Sequence, residues 1–301
     1  MSQENYVGRF APSPSGPMHY GSLVAATASY LQAKHHQGQW LLRIEDIDPP
    51  REIKGAAEDI LATLELYQFE WDAEPVYQSS RLKHYREVVT NLFTQNLIYA
   101  CSCSRKDLEN DIQISELGKR YTGTCANKNL DVQDKNFNLR LRMEDIDLSF
   151  TDGHFGKQTH NIHKELGDFV VYRKFDLPTF ALAVTVDDAF QGITEVVRGQ
   201  DLLAFTPIQI YLCQLLALPT PEFLHIPIII NQQGQKLSKQ HGAAGIAKKD
   251  CEAVLIQVLN DLGQSAPERL KKESLSQIWS WAIEHWNAGK IPQNNTIPHQ
   301  L

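Results

Sequence analysis

Four side chains far apart in this sequence could act together on one small charged molecule: Arg9, His19, Glu45 and Arg198. A carboxylate opposite a guanidinium across a cleft suits a zwitterion that carries an extra carboxylate. An Arg9–Glu45 salt bridge at the rim of a sheet is the structural alternative. His19 lies in the stretch Arg9-Phe-Ala-Pro-Ser-Pro-Ser-Gly-Pro-Met-His-Tyr-Gly-Ser22, where three prolines and a glycine hold the chain in a fixed turn. Apolar residues at Leu23, Ala26, Tyr30 and Leu31 make the next segment, Ser22 to Lys34, a helix. Backbone N–H groups of a first helical turn lack internal partners and carry partial positive charge, so they attract phosphate. The His19 ring can donate to the same group. Towards the other end, Asn231 to Gln240 is a glycine-bearing loop that offers two lysines, Lys236 and Lys239.

A second constellation is built on sulfur. Tyr99-Ala-Cys101-Ser-Cys103 is followed by Lys119-Arg-Tyr121-Thr-Gly-Thr-Cys125. Zinc takes four tetrahedral ligands, typically thiolates, and these cysteines supply three. Tyr121, a histidine or water is left for the fourth place, and three free thiols is the alternative. Cys213 and Cys251 fall in helical patterns and read as packing residues. Five cysteines with no secretory signal point to reduced thiols or a metal site, hence to the cytoplasm. His154, His160 and His163 read as loop histidines facing solvent.

The elements that must position these groups fit an α/β chain. A length of 301 residues accommodates one large domain plus a smaller appendage, or two domains. No apolar run is long enough to span a bilayer. The net charge of −7 excludes a generally adhesive nucleic-acid binder and leaves room for a local basic face. Tyr6-Val-Gly and Trp40 to Ile44 read as parallel strands around the first helix, with Gly38 as its stop. Strand, helix, strand is half of a doubly wound parallel sheet, whose ligands sit at the carboxyl ends where Arg9 and Glu45 fall. Residues 52–99 read as helical. The segment 100–165 reads as an insertion, its lysines and arginines interleaved with acids, either a basic face for RNA or a mixed solvated surface. Gly167 to Arg173 and Ala181 to Asp188 resume the strand pattern, a further strand ends at Arg198, and His225 to Ile230 is the last. Helices are expected around Ala253–Leu262 and Leu275–Trp286, then a polar, frayed tail after Ile291.

The run Arg-Phe-Ala-Pro-Ser-Pro-x-Gly, two residues, then His-x-Gly resembles the HIGH motif of class I aminoacyl-tRNA synthetases in its glutamyl and glutaminyl form. Leu42-Arg-Ile-Glu-Asp-Ile-Asp48 resembles that branch's Leu-Arg-(Ile/Phe)-Glu-Asp-Thr-Asp, and Lys236-Leu-Ser-Lys-Gln240 is similar to the KMSKS signature. The resemblance runs to Gln240. Residues 241–301 are too few for the large anticodon-binding region of a glutamyl-tRNA synthetase. With the Cys-x-Cys insertion, this combination is similar to the glutamyl-queuosine tRNA(Asp) synthetases.

That resemblance implies a Rossmann-type class I catalytic domain with a zinc-bearing insertion and a short helical C-terminal part. Residues 1–99 and 166–240 would form its two halves, 100–165 the inserted acceptor-type subdomain, and 241–301 the helical region. It implies an ATP-dependent ligase, a cytoplasmic monomer, that uses Mg²⁺ and activates L-glutamate as glutamyl-adenylate. The glutamyl group then passes to queuosine in the anticodon of tRNA(Asp). By position, Arg9, Phe10, Ala11, Pro12, Ser13, Glu45 and Arg198 would contact glutamate. His19 and Lys239 would be catalytic, and His19, Gly21, Lys236, Ser238 and Lys239 would hold ATP. Cys101, Cys103, Tyr121 and Cys125 match the ligands of one zinc per chain. Phe180 stands where relatives place a tyrosine against glutamate, keeping the packing and losing the hydroxyl. The alternatives are a glutamyl-tRNA synthetase fragment that charges a tRNA 3′ end, an ATP-dependent ligase or nucleotidyltransferase that never touches RNA, and a catalytically silent RNA-binding paralogue.

Overall fold

The computed structural model describes residues 5–115, 118–231, 234, 246 and 250–298. Strand β1 (Val7–Phe10), helix α1 (Tyr20–His35) and strand β2 (Gln39–Ile44) form the first unit, with β1 and β2 parallel and Arg9 level with Leu41. Between α1 and β2 the chain turns through Gln37 at φ 55°. Gly38 then passes so close to the Tyr6 carbonyl that any Cβ there would overlap it. A glycine is therefore required at that stop. Helix α2 (Ala56–Leu66), strand β3 (Val76–Tyr77) and helix α3 (Leu82–Thr94) follow, β3 pairing parallel with β2. The stretch 52–99 thus holds two helices, but Val76–Tyr77 and Ile98–Tyr99 are strand rather than helix. Strand runs this short leave no period in a sequence.

The segment beyond comprises β4 (Ile98–Cys101), α4 (Arg105–Asp111), the hairpin β5 (Ile112–Ser115) and β6 (Gly118–Tyr121), and β7 (Asn138–Leu141). A second hairpin, β8 (Asp147–Asp152) with β9 (Gly156–Asn161), leads through α5 (Ile162–Glu165) to β10 (Val170–Arg173) and β11 (Leu177–Pro178). Strands β4, β7, β10 and β11 make an antiparallel sheet. The chain then returns through α6 (Phe180–Phe190), β12 (Glu195–Gly199), α7 (Thr206–Leu215), β13 (Glu222–Ile226) and β14 (Ile228–Ile230). It closes with α8 (Cys251–Asp261), α9 (Leu275–His285) and β15 (Thr296–Pro298).

Strand β12 runs parallel to β13, and β13 parallel to β8. The Thr194 N–H donates to Val7 O at 2.9 Å, which sets the start of β12 beside β1. The order across the molecule is therefore β3, β2, β1, β12, β13, β8, with β9 antiparallel at the edge. In such a doubly wound arrangement the chain direction of progress reverses between β1 and β12, and the crevice opens at their carboxyl ends.

Three sequence expectations are corrected here. Ala181 to Asp188 is not a strand but most of α6. All eight of those residues are buried, so the helix has no polar face to reveal its period, and Thr179 caps it by accepting from the Leu182 N–H. The tail after Ile291 is not frayed throughout, because β15 pairs with β14. His154, His160 and His163 are half-buried rather than solvent-facing, and His160 pairs with Glu165 at 3.1 Å. Cys213 and Cys251 are buried, as packing residues should be.

The C-terminal helices share a core with the first unit. Trp279 on α9 meets Tyr30 and Phe69 with both ring centroids 4.9 Å away, and its indole N–H donates to Tyr67 O at 2.8 Å. Tyr20, in the first turn of α1, donates to Asp261 at 2.7 Å. The helix that carries the candidate phosphate site is thus braced by the last part of the chain. Trp279→Ala should lower unfolding stability by about 3–5 kcal/mol in urea titration. A loss under about 1 kcal/mol would show the C-terminal helices to be only loosely attached.

Candidate active site

The carboxyl ends of β1, β2 and β12 and the start of α1 enclose a cleft of about 720 Å³. Arg9, Phe10, Ala11, Pro12, Ser13, His19, Gly21, Glu45, Phe180 and Arg198 all line it. Lys236, Ser238 and Lys239 lie outside the described residues. The proline turn is pinned to β2 and the residues after it, the Glu45 N–H donating to Pro12 O at 3.0 Å and the Ile53 N–H to Pro14 O at 2.9 Å. On its other side Ser29 of α1 donates to Arg9 O at 2.8 Å and accepts from the Trp40 indole at 2.9 Å.

His19 is the N-cap of α1, its Nδ1 accepting from the Ser22 N–H at 3.2 Å. That bond leaves the proton of a neutral ring on Nε2, 3.0 Å from Ser22 Oγ. Helix start and ring N–H therefore sit together at the cleft wall, a place suited to an anion.

The arginines are arranged by a residue that the sequence reading did not single out. Asp188 on α6 takes Arg9 Nε at 3.1 Å and Arg43 Nη2 at 2.8 Å on one oxygen. Its other oxygen accepts from Gln209 Nε2 at 2.7 Å. Burial opposes the charge on Asp188, but Arg9 and Arg43 outweigh it and hold the carboxyl below its ordinary range. The salt bridge that Arg9 makes is thus with Asp188, while Glu45 lies 3.6 Å from Arg43. Burial pushes the Glu45 carboxyl up to about 7, with Arg43 and then Arg9 pulling the other way.

Arg198 is held differently. It donates from Nε to His225 Nε2 at 3.0 Å, from Nη1 to Gln209 Oε1 at 3.0 Å and from Nη2 to Thr206 Oγ1 at 2.8 Å. The rings of Phe223 and Phe205 flank its guanidinium carbon at 5.3 and 5.8 Å, and Phe180 packs on Phe205. Among the described residues no carboxylate touches it. Burial, then the nearby Arg9, pull its pKa down to about 9. A buried guanidinium without a contacting counter-charge, opening on a cleft, calls for an anionic ligand.

Asp188, Arg43 and Gln209 were missed. The visible signal was Asp187-Asp188, two acids inside an apolar run. Asp187 accepts from Arg81, Gln78 and Tyr85, which ties α3 and the turn before it to α6.

The sulfur cluster forms away from this cleft. The Sγ atoms of Cys101, Cys103 and Cys125 lie within 4.8 Å of one another. Tyr121 Oη is 3.7 Å from Cys101 and 3.6 Å from Cys103, and it accepts the Cys125 N–H at 2.9 Å. A tetrahedral zinc with bonds of about 2.3 Å sets its sulfur ligands about 3.8 Å apart, so three thiols with this spacing fit the ion. The Arg140 guanidinium covers the Tyr121 ring at 3.6 Å. Gly167 packs so tightly on Tyr121 O that a Cβ would overlap it.

A doubly wound sheet with a capped helix at its switch point is the architecture of a class I tRNA synthetase catalytic domain, and a family model described as tRNA synthetases class I (E and Q), catalytic domain, matches residues 6–268. A glutamyl-Q tRNA(Asp) synthetase of Ectopseudomonas mendocina is 46% identical over 292 residues, 97% of each chain. Another, of Pseudomonas fluorescens, is 44% identical over 297 residues, 99% of this chain and 97% of that one. Among solved structures, a glutamate-tRNA synthetase from Elizabethkingia anophelis shares the fold, with a TM-score of 0.81 at 24% identity over 99% of this chain and 68% of that one. The chain belongs to the class I (E and Q) tRNA synthetases and, within them, to the glutamyl-Q tRNA(Asp) synthetase family.

Removing the shared carboxylate tests how the cleft is held. Asp188→Asn leaves Arg9 and Arg43 buried without their common partner and should lower stability by about 3–5 kcal/mol in chemical denaturation. Wild-type stability in that variant would mean the two arginines find compensation elsewhere.

Proposed function

We propose that this chain activates L-glutamate with ATP and Mg²⁺ as glutamyl-adenylate and transfers the glutamyl group to queuosine in the anticodon of tRNA(Asp). The observation that carries the amino-acid assignment is Arg198, a buried cation that faces the cleft with only uncharged groups in hydrogen-bond contact. A glutamate side chain supplies the missing charge, whereas glutamine's neutral amide does not. Support for the RNA acceptor comes from the curated relatives, whose similarity extends over nearly the whole of both chains. A silent paralogue is disfavoured by the intact constellation of Arg9, His19, Glu45 and Arg198 in one cleft.

In this reading Arg198 takes the side-chain carboxylate and Glu45 the ammonium. An oxygen of the α-carboxylate attacks the α-phosphorus of ATP in line, and the bond to pyrophosphate breaks. The start of α1 and His19 Nε2–H stabilise charge on the phosphate oxygens, while Lys236 and Lys239 would add theirs from the second signature. The protein contributes placement and electrostatics and no nucleophile. A hydroxyl of queuosine then attacks the activated carbonyl and AMP leaves. Cys101, Cys103, Tyr121 and Cys125 would hold one zinc, a structural tie for the inserted segment. We assign the enzyme to the cytoplasm, as a monomer.

The acceptor is tested with radiolabelled glutamate and tRNA(Asp) from cells able or unable to make queuosine. Label should appear on the queuosine-bearing RNA alone and survive removal of the 3′-terminal adenosine. Label lost with that adenosine would assign the chain to 3′-end charging.

The Glu45 role has a pH consequence. A carboxyl raised to about 7 is largely neutral below that pH and charged above it. Only the charged form attracts an ammonium, so the glutamate KM in pyrophosphate exchange should fall as pH rises through about 7. Glu45→Gln should flatten that dependence, and an unchanged profile in the variant would remove Glu45 from the ammonium site. For the metal, wild-type protein should release about one zinc per chain on denaturation, and Cys101→Ser should lose it while retaining part of the exchange activity. Zinc-free wild type of normal stability would contradict the assignment.

A further inference from the structure

Behind Arg198 the chain buries an acid–base pair that the proposed chemistry leaves without a role. His225 on β13 stands level with Arg198 on β12, and the side chains of His225 and of Asp152, at the end of β8, are sealed from solvent. His225 Nδ1 lies 2.6 Å from Asp152 Oδ2, and His225 Nε2 lies 3.0 Å from Arg198 Nε. An ionised carboxylate only accepts and a guanidinium only donates. The ring between them therefore carries its proton on Nδ1 and offers a lone pair on Nε2. The opposite tautomer would set N–H against N–H at one end and lone pair against carboxylate at the other. An imidazolium would press a second cation against Arg198, and burial together with Arg198 disfavours it against the pull of Asp152. Asp152 Oδ1 is itself engaged by the His154 and Phe155 N–H groups at 3.0 and 2.9 Å, which fixes the rotation of the carboxylate.

We infer that Asp152 and His225 are positioning residues for Arg198: together they lock the imidazole as an acceptor, which anchors the Nε edge of the guanidinium and fixes the plane in which it faces the cleft. This rests on the reading of Arg198 as the receptor for the substrate's side-chain carboxylate. The arrangement solves a specific problem. A carboxylate placed directly on Arg198 would orient it but also neutralise the charge that the substrate needs. A neutral histidine supplies direction, and it keeps the anion that fixes its tautomer on the far side of the ring. Gln209 repeats the device at Nη1, standing between Arg198 and Asp188.

The test is pyrophosphate exchange with separate KM values for glutamate and ATP. Asp152→Asn keeps an oxygen for the His154 and Phe155 N–H groups and turns an amide N–H towards Nδ1, which favours the wrong tautomer. It should raise the glutamate KM on the order of tenfold to a hundredfold and leave the ATP KM within about threefold. His225→Ala should do the same, and His225→Gln, whose amide oxygen can face Arg198 Nε, should recover part of the loss. An equal rise in both KM values, or a lowered melting temperature with unchanged glutamate KM, would overturn the inference. Arg198→Ala separates the two layers. If it alone raises the glutamate KM, the positioning role falls and the receptor stands; if it has no effect, both fall. Because these side chains are buried and a variant can fail to fold, the wild-type protein labelled with ¹⁵N-histidine provides an independent reading. His225 should be the neutral Nδ1–H tautomer at neutral pH, and an Nε2–H ring or an imidazolium would overturn the inference.

Discussion

Asp188 sits on α6 between Arg9 of β1 and Arg43 of β2, and through Gln209 its second oxygen reaches Arg198 of β12. One carboxylate thereby joins both halves of the doubly wound sheet at the switch point. Burying three guanidiniums is unfavourable unless their charge is used or matched. Asp188 contacts two of them, and Glu45 lies 3.6 Å from one of these, Arg43. The third, Arg198, is oriented by uncharged groups and faces the cleft. In the proposed reading the cost of desolvating that cation becomes selectivity, since a neutral side chain in the same place leaves the buried charge unmet.

The rest of the molecule serves this arrangement. The proline turn after β1, which lies between Arg9 and His19, is tied by the Glu45 N–H to the end of β2. Helix α1 is gripped from behind by Trp279, which packs on its Tyr30, and by the Tyr20–Asp261 bond, which keeps its first turn at the cleft wall. On the far side the β8–β9 hairpin joins the sheet through β13, and Asp152 at its turn fixes His225 and so Arg198. The thiol cluster with Tyr121 is built on β4, β6 and the turn after it, away from these contacts.

Much of the cleft was legible because its groups sit in runs whose types are unusual together. Three prolines before His19, the string around Glu45 and the Cys-x-Cys turn all survive as local patterns. What the sequence hid was the partner set, for a physical reason. Helix α6 is buried from Ala181 to Asp188, so its apolar run has neither the period of a surface helix nor that of a half-exposed strand, and it reads as a strand. Read as a strand, that run does not place Asp188 opposite Arg9. His225 and Asp152 were equally invisible, because they meet only through parallel pairing of strands separated by some seventy positions, 152 to 225. Contacts of that kind are set by topology, not by local composition.

In the proposed function Arg198 reads the substrate's side-chain carboxylate as an unmatched buried charge. The most direct measurement is the ratio of exchange rates with glutamate and glutamine, for wild type and for Arg198→Ala. Wild type should favour glutamate by on the order of tenfold to a hundredfold or more, and the variant should lose activity with glutamate until the ratio falls towards unity. A variant that keeps the wild-type preference, or a wild type that accepts both amino acids equally, would contradict this reading of Arg198.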